Sequence, residues 1–155
     1  MSGADVASRR AAAVAAIVLV ADQLTKALVR SSIARGDSRH LIPGVTLVHA
    51  QNSGIAFSLF SGGQAGVIVV AAIVITAVLT YFARHRERPW MWLACGMVVG
   101  GALGNLIDRL RVGQVTDFVK LPDWPAFNLA DASITLGVLA LLWVVGRGGA
   151  AARPA

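Results

Sequence analysis

Apolar side chains dominate four long stretches of this chain, and polar ones gather at their edges and in two longer connections. The stretches run over about 11–29, 64–82, 90–109 and 129–145. Crossing the hydrocarbon of a bilayer takes roughly 20 apolar residues as a helix. Each stretch therefore predicts a transmembrane helix, whose backbone hydrogen bonds are satisfied within the segment. The first carries Asp22 and Lys26 inside it. The third carries Gly96, Gly100 and Gly104 at four-residue spacing, a stripe that lets a neighbouring helix approach closely.

The connections differ in kind. The link at 83–89 is short and holds Arg84, Arg86 and Arg88. The segments at about 30–63 and 110–127 are longer. Leu41 to His49 is rich in β-branched residues with partial alternation, which predicts a strand. Asn52-Ser53-Gly54 reads as a turn, and Ile55 to Phe60 as a second strand. The expected organisation is one polytopic membrane domain over 1–155, with four transmembrane helices and strands lying at the membrane surface.

Composition agrees with this pattern. Hydrophobic residues are 56% and charged residues 14% of the 155. An ordinary soluble domain is about 25% charged. A chain this short has too much surface to hide so many apolar side chains from water. Fourteen Lys and Arg against eight Asp and Glu give a net charge of +6. The basic residues mostly flank the apolar runs, so they point to membrane orientation rather than nucleic acid. Arg9, Arg10, the 83–89 link, Arg147 and Arg153 put both termini in the cytoplasm and the two longer segments outside. Arg9 and Arg10 also precede the first run as in a secretory signal, but the run continues past Asp22 and three more follow, so a retained helix is expected. The single cysteine, Cys95, lies in an apolar run and forms no metal-ligand or disulfide pattern.

Ionisable residues in or beside a span are expensive and mark a functional site or a buried pair by default. Asp22 and Lys26 are four apart and share a helix face, so they can pair. Asn105, Asp108 and Arg109 share a face near one end of the third helix. Asp117 sits in V-T-D-F and Asp131 in F-N-L-A-D. Asn128 to Ala132 resembles a helix start, so Asp131 can be only a cap. Two carboxylates brought together can instead share one proton. One then serves as general base toward water and the other as general acid, which is metal-free peptide hydrolysis. No H-E-x-x-H and no G-x-S-x-G accompanies them. Two other classes remain open on these residues. A proton-conducting or transport protein also uses intramembrane acids, though the centres of the second and fourth runs are uncharged. A non-catalytic assembly factor would use the glycine stripe and not need Asp117 or Asp131.

Five blocks then carry a resemblance. D-Q-L-T-K at 22–26, N-S-G-I-A-F-S at 52–58, G-G-A-L-G-N-L-I-D-R at 100–109, V-T-D-F at 115–118 and F-N-L-A-D at 127–131 stand in the order of the bacterial lipoprotein signal peptidase (signal peptidase II) family. Ile55 departs from it, where alanine is usual. The chain resembles that family over nearly its whole length, excepting the first ten residues and the tail. The resemblance implies a membrane all-α fold with four transmembrane helices and a small extracytoplasmic β-cradle. It implies an aspartyl endopeptidase of the bacterial inner membrane, active at the outer face, that cleaves diacylglyceryl-modified prolipoproteins just before the lipid-modified cysteine. By position, Asp117 and Asp131 match the catalytic pair. Asn52, Gly54, Asn105, Arg109 and Asn128 match positions lining the site, and Asp22, Lys26 and Asp108 match supporting ones. The implied partners are the diacylated prolipoprotein and membrane lipids, with no nucleic acid. No cofactor or metal and a monomeric state are expected, and antibiotics of the globomycin type are expected to block the site.

Overall fold

The computed structural model describes residues 2–53 and 63–150. Four long helices and three strands follow in order: α1 (Gly3–Ser32), β1 (Ser38–Ile42), β2 (Val45–Asn52), α2 (Gly63–His85), α3 (Met91–Val112), β3 (Val115–Lys120) and α4 (Leu129–Ala150). All four helices are long and apolar enough to cross a membrane.

The helices outrun the apolar stretches because their ends are capped by polar groups. Helix α1 starts eight residues before Ala11, where Ser2 and Asp5 form a capping box. The Asp5 amide donates to Ser2 Oγ at 3.2 Å, and the Ser2 amide donates to Asp5 Oδ2 at 3.0 Å. Helix α3 ends at Gly113, whose φ of 77° lets its amide reach the Arg109 carbonyl at 3.1 Å.

Helix α3 is the centre of the bundle. In its most apolar window 67% of residues are buried, against 6% in α2. The glycine stripe explains this position. A Cβ on Gly96 would lie 2.8 Å from the Ala11 carbonyl, and one on Gly100 would lie 2.6 Å from the Ala15 carbonyl, both on α1. On another face of α3, a Cβ on Gly101 would lie 2.6 Å from the Ala130 carbonyl on α4. Bare backbone thus lets α3 take a helix on each side. The outer faces stay apolar: Ile17 is 68% exposed and Leu142 65%. Lipid, not water, is the solvent such faces fit.

Beyond one end of the bundle the strands form an antiparallel sheet in the order β1-β2-β3. The stretch from Leu41 to His49, expected as one strand, is broken into a hairpin. Pro43 removes a backbone donor, and Gly44 takes a φ of 80° in the turn. The third strand is β3, which pairs with β2 and sets Ala50 opposite Asp117. Sequence pattern left β3 as loop, because Val115–Phe118 is buried throughout and shows no alternation. The strand expected at Ile55–Phe60 and the site residue Gly54 lie outside the described residues.

Candidate active site

The two aspartates reach one place through backbone geometry. After β3 the chain makes a short excursion and returns, so that Phe127 pairs with Val119. The Val119 amide donates to the Phe127 carbonyl at 2.8 Å, and the Phe127 amide donates back at 2.9 Å. Asn128 follows at once and caps α4. It therefore stands beside β3 and at the helix start together.

Asn128 touches both acids. Its Nδ2 donates to Asp117 Oδ1 at 2.7 Å and to Asn105 Oδ1 at 3.1 Å. Its Oδ1 accepts from the Asp131 amide at 2.9 Å, and its own amide donates to Asp131 Oδ2 at 3.1 Å. The latter two bonds are a capping box, with Asp131 at the third helical position. Asp131 is thus a cap, as local sequence allowed, but capping engages only Oδ2. Its Oδ1 accepts from Asn105 Nδ2 at 2.8 Å. Asp117 Oδ2 accepts from Asn52 Nδ2 at 3.1 Å, across the diagonal of the β2–β3 ladder.

The amide orientations are forced. Lys26 can only donate, and its Nζ lies 2.8 Å from Asn105 Oδ1. Asn105 must then turn Nδ2 toward Asp131. A backbone amide likewise fixes Asn128 Oδ1, which turns its Nδ2 to Asp117. Each of the four carboxylate oxygens receives a neutral donor.

Lys26 and Arg30 make their ion pairs elsewhere, while Arg109 feels the charges of Asp131 and Asp117 without a salt bridge to either. Lys26 and Asp22 are fully buried and pair at 2.8 Å, with Asp108 3.5 Å from the same ammonium. Arg30 approaches Asp108 at 3.6 Å. Among the described residues, no salt bridge includes Asp117 or Asp131. Burial therefore acts on Asp117 without a compensating ion pair. Together with the charge of Asp131, it lifts the Asp117 carboxyl to about 6, against the lowering pull of Asn52, Asn128 and the Lys26 charge. A carboxyl held near neutrality beside a second one can retain a proton where an ordinary one is ionised.

The supporting polar residues fix where these groups stand. Asp22 Oδ1 accepts from the Ala130 amide at 3.0 Å, so α1 supplies a carboxylate to the start of α4. Asp108 Oδ2 accepts from the Thr116 amide at 3.1 Å and so holds the backbone next to Asp117. Arg109 is half-buried and donates to the Asn105 carbonyl at 3.2 Å, along its own helix. Three contributors had no role in the sequence reading. Gln23 donates to the Gly104 carbonyl at 3.1 Å and to Asp108 Oδ1 at 3.3 Å. Arg30 donates to Thr116 Oγ1 at 3.1 Å, and Gln64 to the Arg109 carbonyl at 2.7 Å. Arg30 was legible in part, since it follows Asp22 and Lys26 at four-residue intervals on one helix face.

A cavity of about 350 Å³ opens at Asp131, lined by Trp124, Phe127, Ala132, Thr135 and Leu136. The apolar cavity thus reaches Asp131, while Asp117 lies buried behind it, linked to Asp131 through Asn128. The pair can activate water and protonate a leaving group beside an apolar ligand.

Comparison with known proteins gives a consistent result. A family profile described as signal peptidase (SPase) II matches residues 14–146. The lipoprotein signal peptidase of Halothermothrix orenii is 39% identical, over 81% of this chain and 88% of the relative. That of Moorella thermoacetica is 42% identical, over 83% and 87%. A solved structure described as a bacterial membrane enzyme superposes with a TM-score of 0.84 at 28% identity, covering 94% of this chain and 92% of its own. A second, with the same description, gives 0.81 at 30% identity, covering 87% and 91%.

Proposed function

The chain belongs to the signal peptidase II family, and from that premise we propose that it removes signal peptides from prolipoproteins as an aspartic endopeptidase with Asp117 and Asp131 as its catalytic pair. The observation that carries this reading is that Asn128 donates to both carboxyls at once, from its side chain to Asp117 and from its backbone amide to Asp131, while every nearby salt bridge passes them by.

The reactive pair holds one proton between its two carboxyls. The ionised member takes a proton from water as the water oxygen attacks the scissile carbonyl carbon. The protonated member gives its proton to the carbonyl oxygen, forming a neutral gem-diol. Proton transfer to the amide nitrogen then lets the C–N bond break, and the pair regains its single proton. Asn105 and Asn128 hold the carboxyls by neutral bonds, which favour the anions less than an ion pair would. Apolar walls limit stray water and leave the charges strongly felt.

The substrate is a diacylglyceryl-modified prolipoprotein cut just before its lipid-bearing cysteine. The apolar cavity at Asp131 and the lipid-facing helices suit a substrate whose acyl chains stay in the membrane. The basic residues around the 83–89 link support a cytoplasmic position for that end and both termini. The pair then faces the outer side of the inner membrane, where the lipidated bond lies. Asn52, which donates to Asp117, and the half-buried Arg109 are the polar groups that engage the peptide in this reading. The whole chain acts as one polytopic domain and as a monomer, without metal or cofactor, and globomycin-type peptides occupy the same cavity.

The test is cleavage of a diacylated precursor by purified Asp117→Asn and Asp131→Asn variants in lipid. Each should lose at least about 100-fold in kcat, the lower end of what general acid–base catalysis supplies. Both should unfold cooperatively, and activity should survive a chelator. Turnover by either variant at the unsubstituted rate would remove the pair from the mechanism.

A further inference from the structure

The bundle carries a second cavity at its other end, for which peptide hydrolysis has no use. It measures about 390 Å³ and is lined by Arg88, Pro89, Trp90, Trp143, Val144 and Arg147. Trp90 precedes Asn105 along α3 by about four helical turns, or roughly 22 Å. The two cavities are therefore separate.

Charge says what kind of ligand fits. Two guanidinium groups and no carboxylate line the space. Glu87 lines the neighbouring cavity on the other side of Arg88, together with Arg10 and Arg86, and makes no salt bridge to Arg88 among the described residues. Arg88 is half-buried, and no salt bridge among the described residues reaches it or Arg147. A partly desolvated guanidinium without an acceptor favours a multi-oxygen anion, which it binds through parallel N–H donors. Arg147 is already oriented, with its guanidinium 4.4 Å from the Trp143 ring centroid. Holding that planar group in place lowers the entropy lost on binding.

The walls say what the anion is attached to. Trp90 is 54% exposed and Trp143 49%, and such rings belong at the junction of headgroups and hydrocarbon. Leu139, one turn from Trp143 on α4, continues the same face as exposed apolar surface. A free phosphate would leave these surfaces unused. We infer that this cavity binds one anionic glycerophospholipid, its phosphate between Arg88 and Arg147, its glycerol against Trp90 and Trp143, and an acyl chain along Leu139.

Native mass spectrometry of the full chain, released from neutral detergent, tests this with three probes: phosphatidylglycerol, phosphatidylcholine and glycerol 3-phosphate. One phosphatidylglycerol should be retained, and the other two should bind at least roughly tenfold more weakly. The Arg88→Gln/Arg147→Gln pair should lose at least about tenfold in phosphatidylglycerol retention. Arg84→Gln/Arg86→Gln removes equal charge from the same end and should retain it as before. Equal loss in both pairs would mean diffuse attraction and overturn the site. Phosphatidylcholine binding as tightly would overturn the charge selectivity, and glycerol 3-phosphate binding as tightly would make the ligand a soluble phosphate. A photoactivatable phosphatidylglycerol on the unsubstituted protein gives a second readout independent of variant folding. It should label the peptides holding Trp90 and Trp143, and labelling confined to other helices would refute the placement.

Discussion

Replacing Asn128 separates helix capping from organisation of the acid pair. Asn128→Ser keeps an oxygen that can accept from the Asp131 amide, since serine is a good N-cap. It removes the donor to Asp117 Oδ1 at 2.7 Å and the one to Asn105 Oδ1 at 3.1 Å. A bond to a charged group contributes about 1.5–3 kcal/mol, so Asn128→Ser should cost that much in stability. Asn128→Ala loses the cap too and should cost about 1 kcal/mol more. The effect on chemistry has a definite sign. The Asn128 donor favours the carboxylate form of Asp117, whose carboxyl stands at about 6. Without it the proton is held to higher pH. The active form carries one shared proton, so the alkaline limb of kcat/KM should move up. The movement should be roughly one pH unit, since about 1.4 kcal/mol of differential stabilisation is one unit. Misplacement of the pair should lower kcat roughly 100-fold. The assay is cleavage of a diacylated precursor from pH 4 to 9, with unfolding of the same samples in lipid. An Asn128→Ser variant with unchanged kcat and an unmoved alkaline limb would show that Asn128 only caps α4, and the account of the pair would fail.

Lys26→Met should be among the most damaging single changes outside the pair, by about 3–5 kcal/mol, because Asp22 and Asp108 would stay buried with less compensation. Adding Asp22→Asn should return part of that loss, and a thermal-unfolding cycle with no coupling would contradict the buried triad. Gly100→Ala forces a Cβ to within 2.6 Å of the Ala15 carbonyl, which is backbone and cannot step aside. It should cost at least about 1–3 kcal/mol and reduce the folded yield. Gly146→Ala meets nothing within 4 Å, so it should be neutral or slightly stabilising, and a similar loss in both variants would remove the glycine stripe as the reason α1 and α3 pack closely.

Much of the site was visible in the chain because charge inside apolar sequence is costly enough to stand out. Asp22, Lys26, Asn105 and Asp108 could be picked out on that ground alone. Gln64 could not, because a polar residue at the end of a span is ordinary there, and Arg30 showed only through its four-residue spacing from Lys26. Strand β3 escaped notice for a related reason. Covered on both faces, it lacks the alternation that marks a half-buried strand. The Leu41–His49 stretch was read as one strand because β-branched residues outweighed the Pro43-Gly44 turn within it.

Hydrophobicity along the chain fixed four membrane helices, since lipid admits few other solutions for a backbone. The glycine spacing fixed which face of α3 accepts close neighbours. Neither pattern brings Asp117 to Asp131. That depends on the Val119–Phe127 pairing, which sets Asn128 between them. The spacing of Asp22 and Lys26 announced their pair, but sequence does not reveal that Lys26 and Arg30 both converge from α1 on Asp108 of α3. Ion pairing is decided by which side chains share a buried volume, and only the packed helices define that volume. The lifted Asp117 carboxyl follows first from its burial and then from Asp131 beside it, both of which only the packed structure sets.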